Sequence, residues 1–130
     1  MVLSILTRKS RLNDRAQWES QLTKALPAIK QVLEAEFGFV SVEYLWSADE
    51  DGAFAQITTW QSLDDCWRYV RQGSAATVAT LEEAAVPTAL HPNGAWVRTT
   101  YETVVDSGQR RAAARTLPSG IDIRRKGTSR

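Results

Sequence analysis

FVSVEYLWS (39–47) and AFAQITTW (53–60) are two strand-like runs that flank the acidic, glycine-ending turn ADEDG (48–52). Strands joined by so short a connection are antiparallel, and Asp51-Gly52 is a common chain-reversal signal. Alternation places Val40, Val42, Tyr44 and Trp46 on one side of the first run and Phe39, Ser41, Glu43 and Leu45 on the other. Both sides carry large residues. The pair therefore reads as central, with one covered face and one face meeting a pocket or partner.

Upstream, the β-branched run at 2–6 suits a first strand that exits through TRKSR (7–11). Asp14 with Gln17 has the spacing of a capping box, with Asn13 as the alternative cap. Trp18, Leu22, Leu26, Ile29 and Leu33 then recur every three or four residues, which predicts an amphipathic helix over 14–36 lying on a sheet. Pro27 removes one amide donor, so the spacing predicts a kink or a division there. Gly38 closes the segment.

Downstream, Ser62 with Asp65 caps a second helix whose inner stripe reads Leu63, Cys66, Trp67 and Val70. Trp67 and Tyr69 point roughly 200° apart on an ideal helix, so they do not share a face. Gly73-Ser74 interrupts the region, and a further helix over 75–86 stops at Pro87. HPNG (91–94) is a turn. A fourth strand over 95–104 then opposes Trp96, Arg98, Thr100 and Glu102 to Val97, Thr99, Tyr101 and Thr103.

The order β-α-β-β-α-β with right-handed crossovers gives an antiparallel sheet covered on one face by helices, the α+β ferredoxin-like arrangement. Tyr44, Trp46, Trp60, Trp96 and Tyr101 supply more aromatic surface than two helices need cover. Apolar surface left wet forgoes roughly 25 cal/mol for each Å². Dimerisation through the open sheet face is the expected remedy.

At 130 residues and 43% hydrophobic content the chain fits one soluble domain, drawn at 1–105, with 106–130 as a basic extension or arm. The first part holds 9 Lys/Arg against 13 Asp/Glu, net −4, and the second holds 7 against 2, net +5. RRAAAR (110–115) suits a helical turn or two, and GIDI (120–123) a short edge strand or an arm onto a partner. The tail lacks interleaved aromatic residues and the body is acidic, which argues against a dedicated nucleic-acid module. No apolar segment of 18 residues exists and the N-terminal apolar run is too short for a signal peptide, so a cytoplasmic protein without a membrane segment is expected. A lone cysteine, Cys66, excludes an intrachain disulfide.

The run EFGFVSVEYLWS (36–47) through AFAQITTWQSLDDCWRYV (53–70) resembles the antibiotic biosynthesis monooxygenase-like group of dimeric α+β barrels. The shared features are a helix ending near Gly38, a hairpin, a strand ending in Trp60, and a following helix with Trp67 and Tyr69. The resemblance covers 2–104. It implies two ferredoxin-like subunits set sheet to sheet, with one cavity per subunit between sheet and helices. It also implies oxygenases of polycyclic phenols that need neither metal nor flavin, because an electron-rich substrate anion can itself reduce oxygen while protein groups orient it. Haem-degrading members carry a histidine near Val78, Ala79 and Thr80 and an asparagine near Thr7, Arg8 and Lys9, so this chain departs from them at both places.

The candidate catalytic residues are Arg98, Tyr101 and His91, and the candidate ligand-binding residues are Tyr44, Trp46, Trp60 and Arg98. Arg98 lies within a strand, where an inward charge needs a carboxylate or an anionic ligand; an interface or surface salt bridge with Glu43 or Glu102 is the plainer reading. Tyr44 and Tyr101 have hydroxyls suited to a carbonyl or phenolate, although aromatic packing explains them equally. His91 has the pKa for proton transfer, but LHPNG (90–94) also accounts for it as a turn residue. Trp60 joins strand to helix or lines a cavity. Trp46 lines a pocket or crosses the dimer interface. No metal or cofactor is implied, because neither a histidine cluster, a calcium loop nor a glycine-rich phosphate loop is present in the sequence. The expected function is a cofactor-independent monooxygenase of an aromatic or polyketide-like molecule. The alternative is a non-catalytic homodimer that binds a small molecule or a protein.

Overall fold

The computed structural model describes residues 1–90, 96–105 and 121–123. Four antiparallel strands, β1 (Val2–Lys9), β2 (Phe39–Trp46), β3 (Ala53–Trp60) and β4 (Arg98–Glu102), form a sheet in the order β4-β1-β3-β2. Helices α1 (Arg15–Glu34), α2 (Leu63–Gln72) and α3 (Ala75–Ala85) complete the ferredoxin-like α+β fold. A short β5 (Ile121–Ile123) adds to the outer edge of β2 in parallel, so the last three residues of GIDI supply an edge strand to their own sheet. His91 and most of 106–130 lie outside the described residues.

Alternation decides which side chains meet the helices. Val2, Ser4, Leu6 and Arg8 are all buried on β1, and their β3 partners Trp60, Thr58, Gln56 and Phe54 are buried with them. Val42, Tyr44 and Trp46 continue this layer on β2. Trp18 of α1 packs on it, 5.0 Å from the ring of Trp46 and 5.5 Å from that of Phe54. The aromatic surplus assigned to the open face is thus corrected: Tyr44, Trp46 and Trp60 sit under the helices, and the open face carries Leu3, Ile5, Leu45, Ala55, Ile57 and Tyr101. Phe39 also changes side. A register shift between Phe39 and Ser41 leaves Val40 as an extra residue, so Phe39 rejoins the helix face and its ring meets Trp60 edge-on at 5.6 Å.

Pro27 neither ends nor divides α1. It is exposed, so the carbonyl it leaves without an amide partner meets solvent. Trp18, Leu22, Ile29 and Leu33 bury on both sides of it and hold one helix together. Asp14 is the cap, accepting from the Ala16 amide at 3.0 Å. Ser62 caps α2 as the spacing predicts, accepting from Asp65 at 3.1 Å. The α2 stripe needs correction: Asp65, Cys66 and Tyr69 face inward, while Trp67 is 38% exposed and lies against Arg71. Helical geometry forces this exchange, because Tyr69 follows Cys66 by three residues whereas Trp67 is turned some 100° from it.

Gly38 fixes the approach of α2 to the hairpin. Its φ of +83° is left-handed, and a Cβ built there would come 2.6 Å from the Asp65 Cβ. Both the backbone conformation and the space require glycine. Gly38→Ala is expected to cost about 2 kcal/mol or more, read as a fall in the urea midpoint at unchanged slope. A variant as stable as the parent would mean that α2 does not pack on this turn.

Candidate ligand site

A carboxylate lies at the centre of the helix-covered face. Glu82 of α3 is 0% exposed and receives three groups from three adjacent strands. The Tyr44 hydroxyl and the Gln56 side-chain amide donate to its Oε2, and Arg8 Nη2 meets its Oε1 as an ion pair without an aligned hydrogen bond. Val78, one turn earlier on α3, is buried beside the sheet, and the Val78→Glu82 spacing turns the carboxylate inward. Removal from water lowers the Arg8 pKa, an effect opposed by nearby Tyr44 and Glu83 and reinforced by Arg98. Burial also pushes the Tyr44 phenol well above its usual range, against the Gln56 hydrogen bond and the Arg8 charge.

A second polar group lies under α2. Arg98, the first residue of β4, is opposite Leu6 and donates from Nη1 to the Ser4 hydroxyl at 2.9 Å. Among the described residues no carboxylate pairs with its guanidinium within 4 Å. The expected salt bridge with Glu43 or Glu102 is therefore not what holds Arg98. Cys66 and Tyr69 close this end. Burial pushes the Cys66 thiol up, with its Ser4 hydrogen bond and the Arg98 charge acting the other way. The Tyr69 phenol is likewise pushed up, to about 12, by burial, while Arg98 opposes. Its hydroxyl is buried with no hydrogen-bond partner, and its ring lies 4.7 Å from that of Trp60. The Trp60 indole N–H is satisfied at 2.9 Å by Thr58.

The sequence candidates thus divide. Tyr44, Trp60 and Arg98 share the helix-covered face with Arg8, Gln56 and Glu82, whereas Tyr101 is 56% exposed on the opposite face, across from Leu3. Trp46 belongs to the α1 core through Trp18. Cys66 is a buried thiol, as its place on the stripe suggests. Of the stretch Val78, Ala79 and Thr80, Val78 is buried and Thr80 exposed. Sequence reasoning missed Glu82 and Gln56 and gave Arg8 no role of its own. The signals were present: Arg8 alternates in phase with Val2 and Leu6, and Glu82 is one turn after Val78 on an otherwise apolar helical stripe.

A cleft of about 480 Å³ opens at the end of β1. Arg8, Leu90, Trp96 and Val97 are among its walls. Among the described residues no cluster of three His, Cys, Asp or Glu has the placement to hold a metal ion, and no helix is long and apolar enough to cross a membrane.

No family model matches the chain, and no curated protein matches it in sequence. Solved structures do match. A Deinococcus radiodurans protein bearing the name antibiotic biosynthesis monooxygenase is 16% identical, over 82% of this chain and 95% of that one, at a TM-score of 0.54. A Bordetella bronchiseptica protein of the same name is 14% identical, over 80% and 97%, at 0.56. SnoaB, a cofactor-independent oxygenase from Streptomyces nogalater, is 18% identical, over 82% and 96%, at 0.50. At such identities the likeness is one of fold, and it agrees with the resemblance carried by the hairpin and Trp60.

The buried phenols make stability depend on alkaline pH. Tyr69 ionises near 12 in the fold and near 10 when unfolded, so its contribution is complete below pH 10 and is lost as pH rises from 10 towards 12. The expected loss from this residue is about 1.4 kcal/mol at pH 11. Urea midpoints at pH 9 and 11 measure it, and Tyr69→Phe should shrink the difference by that share. An unchanged difference in the variant would show that the Tyr69 hydroxyl reaches water.

Proposed function

We propose that the protein is a cofactor-independent oxygenase of electron-rich phenols, binding the phenolate on the helix-covered face beside Arg98. The observation that carries the reading is Arg98 itself, a partly buried cation whose bond is to a neutral hydroxyl, next to the unpartnered Tyr69 hydroxyl. A partly buried guanidinium that no carboxylate among the described residues pairs with favours an anionic ligand. The fold shared with SnoaB supports oxygen chemistry that draws its electrons from the substrate.

Arg98 holds the ionised oxygen and Tyr69 offers a neutral donor, so the negative charge stays on the substrate, where it can reduce O2. The ring carbon opposite the hydroxyl gains one oxygen atom. Two substrate hydrogens leave with the second oxygen as water, giving a quinone without an external reductant. The test is oxygen uptake with 1,5-dihydroxynaphthalene in the presence of a chelator. Catalysed uptake, falling roughly 10- to 100-fold in Arg98→Gln at unchanged thermal stability, is expected. Uptake at the uncatalysed rate would overturn the reading.

One observation favours the non-catalytic alternative: the Arg8, Tyr44, Gln56 and Glu82 side chains occupy the middle of the helix-covered face. Tight binding of the same phenol without oxygen uptake would decide for it. Either reading includes a homodimer through the open sheet face, where Ile5 and Leu45 are partly exposed beside the buried Ile57, with 106–130 as an accessory extension. Sedimentation at micromolar concentration is expected to give twice the chain mass, and Leu45→Lys to give a monomer. A monomeric parent would remove the barrel.

A further inference from the structure

The cleft at the end of β1 presents two accessible charges of opposite sign. Lys9 and Glu50 are both among its walls, with side chains 45% and 64% exposed, and Lys9 Nζ lies 3.4 Å from Glu50 Oε2. Arg8, the other charged wall, is buried and matched to Glu82, so it adds no uncancelled charge to the cleft. The backbones beneath the accessible pair are fixed. The Lys9 carbonyl accepts from the Ala89 amide at 2.8 Å. Glu50 sits in the hairpin turn, where its amide donates to the Ser47 hydroxyl at 3.0 Å and its carbonyl accepts from the Ala53 amide at 3.2 Å.

An exposed pair of this kind adds little to stability, but it sets a charge pattern that a ligand must match. A lone anion on Lys9 would also meet Glu50, and a lone cation on Glu50 would meet Lys9. A molecule bearing both charges can lie antiparallel to the pair, its carboxylate on Lys9 and its ammonium on Glu50, so that every neighbouring contact is attractive. The short separation within the pair fits charges attached to one carbon, and not charges at the two ends of a chain. Leu90 and Val97, 86% and 59% exposed, add wet apolar surface to the same cleft. Its volume of about 480 Å³ admits a charged head and an aliphatic side chain together.

We propose that this cleft binds small zwitterions of the α-amino-acid class with an aliphatic side chain, the head group lying on Lys9 and Glu50 and the side chain over Leu90 and Val97. The site is separate from the anion position at Arg98, whose guanidinium turns onto Ser4. It does not require the chain to be an oxygenase. Binding is in the millimolar range, because both protein charges keep contact with water and are screened by salt.

The test uses probes that differ in one feature each. Norleucine carries both charges on one carbon, its isomer 6-aminohexanoate carries them at opposite ends, hexanoate has only the anion, hexylamine only the cation, and glycine lacks the side chain. NMR titration of the full chain at low salt is expected to rank norleucine about fivefold tighter than each of the others, and to move the Lys9 and Glu50 side-chain signals. Lys9→Gln and Glu50→Gln should each remove that preference without lowering the thermal midpoint. The exchanged pair, Lys9→Glu with Glu50→Lys, should restore it, because a zwitterion can bind reversed. Absence of norleucine binding, equal binding of norleucine and any other probe, or no recovery in the exchanged pair would each overturn the proposal.

Discussion

A buried carboxylate is the condition that the rest of this fold has to satisfy. Glu82 is removed from water on α3, and an isolated charge there would cost several kcal/mol. The compensation comes from β1 through Arg8, from β2 through Tyr44 and from β3 through Gln56. One helix is thereby referenced to three strands at once. Sliding α3 by a residue would turn Glu82 off the cluster and leave the Arg8 charge unpaired. The cluster adds little net stability by comparison with a well-packed apolar core. Its effect is to define where α3 lies.

That placement governs the space left for a ligand. The middle of the helix-covered face is occupied by the cluster, and a polar group lies to one side of it and a cleft to the other. On one side Arg98, Ser4, Cys66 and Tyr69 meet beneath α2. On the other the cleft opens along Arg8 and Trp96. The short distance between these flanks is visible in the electrostatics, since each arginine is felt at the other's end of the face: Arg98 helps to lower the Arg8 pKa.

The architecture was legible because periodicity and turn chemistry agreed. The hairpin around Asp51-Gly52, the Asp14 and Ser62 caps, the break at Gly73 and the element order all have local causes, and all are found. Face assignment on β2 failed at Phe39 because a bulge adds one residue and reverses everything before it. The open face was assigned from aromatic abundance, when alternation alone would have put Tyr44, Trp46 and Trp60 in phase with the buried layer. The site was harder to read. Arg8 and Glu82 are 74 positions apart, and although each lies in phase with an apolar stripe, nothing local shows that the two meet. Only the assembled sheet brings the ion pair together.

The two arginines differ in the one respect that matters for recognition. Arg8 has its charge cancelled by Glu82 inside the fold. Arg98 keeps its charge, because the Ser4 hydroxyl satisfies a hydrogen bond without neutralising the guanidinium. An anion at Arg98 would relieve its repulsion with Arg8, whereas one at Arg8 would meet Glu82. The same sheet face thus carries one arginine neutralised inside the fold and, beside it, one whose charge no described carboxylate cancels.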